Sequence, residues 1–134
     1  MELHWDNKFE IGIERIDFEH RIFLDLIITF HELIIDRTYD KNKASRLLKE
    51  IHKYADFHFT SEENIMIDIA YPELESHREA HQQLLMKLKD QILDLENGHS
   101  QASDFFDFIF NWFAIHTTTE DKKIATYISQ NSKL

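Results

Sequence analysis

From Ile22 onward the apolar positions recur at helical spacing. Ile22, Phe23, Leu26, Ile27, Phe30, Leu33 and Ile34 share one face of a helix. Asp17 stands where an N-cap is expected, so the spacing predicts a first helix over about 17–37. "TYDKN" reads as a turn. A second stripe (Leu47, Leu48, Ile51, Ala55, Phe59, Ile65, Met66) predicts a helix over about 41–68. Pro72 suits the first turn of a third helix, where its missing N–H costs nothing. Leu74, Leu84, Leu85, Leu88, Ile92 and Leu95 continue that helix, and Gly98 is a natural stop, so it is predicted over about 72–97. Ser100 or Ser103 is expected to cap a fourth, over about 103–129. The opening residues, about 1–16, hold Trp5, Phe9, Gly12 and Ile16 with no helical period. They are expected to form an ordered arm laid over the body, because a disordered tail would not carry those apolar side chains.

Helices of this size are roughly 30–38 Å long at about 1.5 Å per residue. Short turns make consecutive ones antiparallel. The expected fold is therefore all-α: an up-down-up-down four-helix bundle with an N-terminal arm, one domain over 1–134. The chain has two glycines and one proline in 134 residues. So few turn formers disfavour sandwiches and barrels.

Composition narrows the function. There is no cysteine, which excludes disulfides, thiolate zinc sites and iron–sulfur clusters and fits a reducing compartment. "MELHWDNKFE" has neither a basic n-region nor an apolar h-region, so no signal peptide is expected. No apolar run approaches the ~20 residues of a membrane span. A cytoplasmic location without membrane insertion is the expectation. A formal charge of −10 argues against nucleic acid or an anionic membrane surface as partner and is compatible with cations.

Nine histidines then require an account. His20 lies on the inner stripe of the first helix. "HFTSEE" places His58 and Glu62 at i and i+4, on one face. "HREAH" does the same for His77 and His81. "HTTTED" adds His116 and Asp121. Each helix thus points at least one metal-capable side chain inward. In antiparallel neighbours, residues equally far from a shared turn lie level. His20 and His58 are each about nineteen residues from Tyr39, and His81 and His116 are about equally far from Gly98–Ser100. All seven side chains fall in one layer towards one end of the bundle.

One metal cannot use so many ligands, but two can share them. Imidazoles with bridging carboxylates point to iron first, with manganese or zinc behind it. Unpaired, each such buried group would cost on the order of 1–3 kcal/mol. A single inward histidine is more often a core residue with satisfied hydrogen bonds, and "HREAH" alone could be a surface pair. Five histidines with two carboxylates at one level are not explained that way. Glu79 sits round the helix from both histidines, so this is not the metalloprotease H-E-x-x-H. The remaining histidines lie elsewhere. His4 is in the arm and His99 in a turn; His31 is about 16 Å and His52 about 9 Å along their helices from the layer.

The set H…HxxxE…HxxxH…HxxxxD resembles hemerythrin, and more closely its single-domain bacterial type. The resemblance runs over nearly the whole chain: Trp5 in the arm, "IDFEH", "HFTSEE", "YPELESHREAH" and "WFAIHTTTED". It implies a diiron cofactor. One iron should take His77, His81 and His116. The other should take His20 and His58, with one coordination position left open. Glu62 and Asp121 should bridge the pair, together with an oxo or hydroxo group. O2 is then expected to bind end-on at the open iron and to be held reversibly as a hydroperoxide.

Phe23, Phe59 and Trp112 are expected around the O2 pocket, with plain core packing as their other use. Thr117 stands where many members carry a bulky aliphatic. A hydroxyl there is expected to favour water entry and faster autoxidation. His116 and Asp121 are i and i+5, about 140° apart on an ideal helix, so a π-bulge is expected between them. The apolar excess of the fourth helix (Phe105, Phe106, Phe108, Phe110, Phe113) leaves two uses open, cover for the arm or an oligomer interface. The expected state is a monomer or weak homo-oligomer. The leading function is O2 carriage, storage or delivery to an oxidase. The alternatives are oxygen or redox sensing through a partner, a diiron peroxidase or nitric oxide or nitrite reductase, and a structural zinc bundle.

Overall fold

The computed structural model describes residues 4–36 and 39–131. Helix α1 spans Glu14–Ile35, α2 Lys41–Asp68 and α3 Leu74–Glu96. The fourth rod is α4, Ala102–His116, continued by a π-helical turn, Thr117–Asp121, into α5, Lys122–Asn131. Helix α1 packs against α2 and α4, and α3 against α2 and α4, which closes the antiparallel ring of an all-α bundle. The end expected for the first helix, at Arg37, lies outside the described residues. Among the described residues no helix is long and apolar enough to cross a membrane.

The caps differ from those read in the sequence. Helix α1 begins at Glu14, with Ile13 as its N-cap, so Asp17 lies inside the first turn. Its carboxylate reaches back along the chain and accepts the N–H groups of Ile11 (2.8 Å) and Gly12 (3.1 Å). An acidic group in a first turn suits the helix dipole, and here it also ties down the arm. Pro72 sits in the turn before α3, whose N-cap is Glu73. Neither Ser100 nor Ser103 caps the fourth rod. Gln101 does, and its N–H donates to Asp104 at 3.2 Å. Asp40 caps α2 by accepting from Asn42 and Lys43.

Two helices end in paired 6→1 and 5→2 hydrogen bonds. After α3, His99 N–H donates to Asp94 and Gly98 to Leu95, with Gly98 at φ +76°. After α2, Tyr71 donates to Met66 and Ala70 to Ile67. There Ala70 takes φ +54°, a left-handed conformation that a Cβ disfavours.

The apolar stripes meet in two clusters. The larger runs through Phe23, Ile27, Phe30, Leu48, Ile51, Leu88, Phe105 and Phe113. The smaller, Met66, Tyr71 and Ile124, closes the end near the α2–α3 turn. Phe105, Phe106 and Phe113 are buried, Phe108 and Phe110 partly so. The apolar excess of the fourth rod is therefore taken up largely within the chain, in part by the arm.

Candidate metal centre

A buried polar layer occupies the bundle core. His20 comes from α1, His58 and Glu62 from α2, His77 and His81 from α3, His116 from the end of α4, and Asp121 from the end of the π-turn. All seven are buried. The π-turn, the widened segment expected from the spacing, explains how His116 and Asp121 reach the same place. Its i to i+5 bonding brings residue i+5 back over residue i.

The seven side chains form two groups. Glu62, His77, His81 and His116 bring ligand atoms within 4.8 Å of one another, and so do His20, His58, Glu62 and Asp121. The carboxylates divide their oxygens between the groups. Oε1 of Glu62 lies 2.6 Å from His77 Nε2 and 3.1 Å from His81 Nε2, while Oε2 lies 3.3 Å from His58 Nε2 and 4.0 Å from His20 Nε2. Oδ1 of Asp121 lies 3.3 Å from His77 Nε2 and 3.1 Å from His116 Nε2, while Oδ2 lies 3.1 Å from His20 Nε2. Every imidazole turns Nε2 inward. Three buried inward atoms, Glu62 Oε2, His116 Nε2 and Asp121 Oδ1, have no hydrogen-bond partner. Such orphans are rare in native cores. Nitrogen and oxygen donors held this way fit metal ions, and Glu62 belongs to both groups.

The electrostatics of the metal-free chain follow from the same contacts. Burial and the charge of Asp121 act to raise Glu62, but the close imidazole of His58 and hydrogen bonds from His77 and His81 hold its carboxyl well below the usual range. Burial likewise acts to raise Asp121, and the charge of His116 with the close imidazoles of His116, His20 and His77 holds it low. Burial acts to lower His58, yet Glu19, Glu62 and Asp121 push it up to about 9. Burial is again outweighed at His77, where Asp121 and Glu62 push it up to about 10. A divalent cation would replace these protons.

Two glutamates that the sequence reading passed over form an outer layer. His58 Nδ1–H donates to Glu19 Oε1 at 2.8 Å. Glu19 Oε2 accepts from Ser61 Oγ (2.8 Å) and Arg15 Nε (3.3 Å), and its carbonyl accepts from Tyr54 OH (2.8 Å). Burial acts to raise Glu19, and the bonds from His58 and Ser61 keep it lowered. His81 Nδ1–H donates to Glu63 Oε2 at 2.8 Å, and Arg78 Nε pairs with Glu63 Oε1 at 3.3 Å. Such carboxylate–imidazole pairs fix the tautomer and aim of a ligand and strengthen it as a donor. The one available signal was the acidic residue beside a ligand in "EH" and "EE".

The aromatic residues pack on both groups, Phe59 reaching His58 (5.8 Å) as well as His81. Phe59 lies flat on His81 (4.0 Å between centroids, 8° between planes) and Trp112 on His116 (4.6 Å, 16°). Phe23 faces His58 at 6.4 Å, and Phe113 meets His20 edge to face at 5.7 Å. Phe113 was not singled out in the sequence as a pocket residue. Thr117 is buried at the start of the π-turn.

Five imidazoles and two shared carboxylates, delivered by four helices to one buried layer, define a bundle whose core can hold two metal ions. Residues 11–128 match the family described as hemerythrin HHE cation binding domain, and the chain belongs to that family. It is 29% identical over 123 residues to the bacteriohemerythrin of Clostridium acetobutylicum, a match covering 89% of this chain and 95% of that one. It is 27% identical over 119 residues to the myohemerythrin of Sipunculus nudus, covering 89% and 88%. Its fold is similar to a crystal structure of wild-type hemerythrin, with a TM-score of 0.85 at 21% identity over 96% of this chain and 99% of that one.

Proposed function

We propose that this chain is a non-haem diiron protein that binds O2 reversibly, for carriage, storage or delivery. The observation that carries this reading is the unequal division of the histidines. His77, His81 and His116 would hold one iron, and His20 and His58 the other. Glu62 and Asp121 offer one oxygen to each side. The two-histidine iron is then one ligand short, and that is where O2 would enter. When bound, the iron pair supplies the two electrons that O2 takes up and recovers them on its release.

The chain's own residues serve that task in distinct ways. Glu19 keeps Nδ1 of His58 protonated and Nε2 free to face the metal. Phe23 and Phe113 present ring surface rather than hydrogen-bonding groups beside His58 and His20, and so exclude water. A dry pocket strengthens any hydrogen bond made to a bound anion. A histidine-rich set whose only carboxylates bridge favours reversible binding over oxidative turnover, so no enzymatic activity is assigned.

Stopped-flow mixing of the ferrous protein with O2 tests the reading. A long-lived absorption that disappears under argon is expected. Rapid consumption of O2 with a reducing co-substrate would instead mark an enzyme. Thr117→Ile is expected to slow autoxidation, measured by loss of the oxygenated spectrum; an unchanged rate contradicts the role given to the hydroxyl.

A further inference from the structure

Among the described residues, the N-terminal arm contributes none to the polar layer, yet it presses on it. Its 3-10 turn, Asn7–Phe9, packs against the π-turn of the fourth rod. Phe9 is 2% exposed, and its ring centroid lies 5.2 Å from that of Phe113. Phe113 in turn meets His20 edge to face at 5.7 Å and stacks on Phe23 at 5.7 Å. Trp5 packs on Phe9 at 5.6 Å, and the Arg21 guanidinium lies 4.3 Å from the Trp5 ring. The other end of the arm is fixed by Asp17, which accepts from Ile11 and Gly12. Gly12 turns there at φ +90°, a conformation suited to glycine. Both ends of the arm are therefore tied to α1 while Phe9 bears on Phe113.

The place where Phe9 acts gives this contact a function. Phe113 and Asp121 both reach His20, and Thr117 lies between them in the chain. The stripe that the arm braces is thus the one facing the two-histidine half. Interiors are close-packed, so removing a buried ring leaves space into which its neighbour can move. Phe113 has His20 and Phe23 on its inner side and Phe9 as its brace.

We propose that Phe9 determines which small molecules reach the two-histidine half: by bracing Phe113 against His20 and Phe23, it limits the size of an entering ligand and its rate of entry. This rests on the diiron reading above. A diatomic passes through small packing fluctuations, whereas hydrated anions need a wider local opening. Phe9 touches no ligand atom and is a positioning residue.

The test uses the iron-loaded ferric protein with azide and the bulkier thiocyanate as probes, following the growth of their optical bands. The natural chain is expected to bind azide faster than thiocyanate. Phe9→Ala is expected to raise both rates, thiocyanate by about tenfold or more, as for a local opening made easier by about 1.4 kcal/mol. Iron content should remain at two per chain. Phe9→Leu, which keeps apolar filling, should fall between the two. In the zinc-loaded protein, NMR should show the Phe113 ring flipping faster in both variants. Unchanged anion rates, or an unchanged Phe113 flip rate, would overturn the proposal; if Phe9→Ala does not fold, Phe9→Leu decides it by the same readouts. A natural chain that holds two irons but binds no azide contradicts the open position instead. The bracing role is then decided by the ring flips alone.

Discussion

The two halves of the metal layer share both carboxylates but are built differently around them. On the three-histidine side, Phe59 and Trp112 lie flat on His81 and His116. The outer partner there is Glu63, 20% exposed and paired with a partly exposed Arg78. On the two-histidine side, Phe113 and Phe23 meet His20 and His58 edge-on, and the outer partner Glu19 is 7% exposed with its carboxylate fully engaged. The first side is clamped by flat stacking and the second is walled off. The same side-chain type therefore sits in two different surroundings, depending on what packs behind it. The asymmetry of the layer lies in its packing as much as in its histidine count.

The largest effect is expected from removing what the halves share. Glu62→Gln takes a charged oxygen from each half and leaves imidazoles buried without their counter-charge. Breaking a buried pair in this way costs about 3–5 kcal/mol. The variant is expected to hold fewer than two irons per chain by elemental analysis and to melt at a lower temperature.

A smaller effect should separate the two sides. Loss of an outer carboxylate costs about 10–100-fold in metal affinity at comparable sites. Glu19→Gln is expected near the top of that range, and Glu63→Gln near the bottom because water can replace it. Competition with a chelator measures both. Equal losses would remove the distinction between a closed and an open outer layer.

Protonation acts on both halves. His58 and His77 are raised to about 9 and about 10 in the metal-free chain. Their paired, protonated forms therefore stabilise it fully below the ordinary histidine value of 6.5. That stabilisation is lost as pH rises through 9 to 10. The lowered carboxyls of Glu62 and Asp121 act in the opposite direction, stabilising above the usual carboxylate range and losing this as pH falls. Thermal melts of metal-free protein should decline towards both extremes. Metal uptake should strengthen as pH rises, because each bound ion displaces protons. Metal affinity independent of pH would contradict the proton-sharing contacts.

The smallest expected effect is a gain. Ala70 holds φ +54° in the turn joining α2 to α3, and an L-residue there costs roughly 1–2 kcal/mol. Ala70→Gly should raise stability by up to about 1 kcal/mol, since glycine also gives back some unfolded-state entropy. Iron content should not change.

What the sequence disclosed, and what it withheld, has a physical pattern. The helical stripes and the inward histidines were legible because a period of 3.6 is a local property of the chain. The π-turn was legible too, since His116 and Asp121 at i and i+5 cannot face one point on a regular helix. Caps were read less well. Asp17 has the composition of an N-cap, but the arm's N–H groups claim its carboxylate across a turn. Ser100 and Ser103 are good cap residues flanking Gln101, and local preference alone does not choose between adjacent positions. Glu19 and Glu63 were passed over because each meets its histidine across helices, a contact that periodicity does not report. Phe113 was hidden among five phenylalanines of one helix, and only the packing of the arm singles it out.

The two metal sites are expected to be asymmetric and to share Glu62 and Asp121. A crystal structure of the iron-loaded protein, with data collected at the iron absorption edge, tests this arrangement most directly. Two anomalous peaks are predicted, within about 4 Å of one another. Each carboxylate should span both, with three histidines on one peak and His20 and His58 on the other. A single peak, or a second one away from His20 and His58, would contradict it.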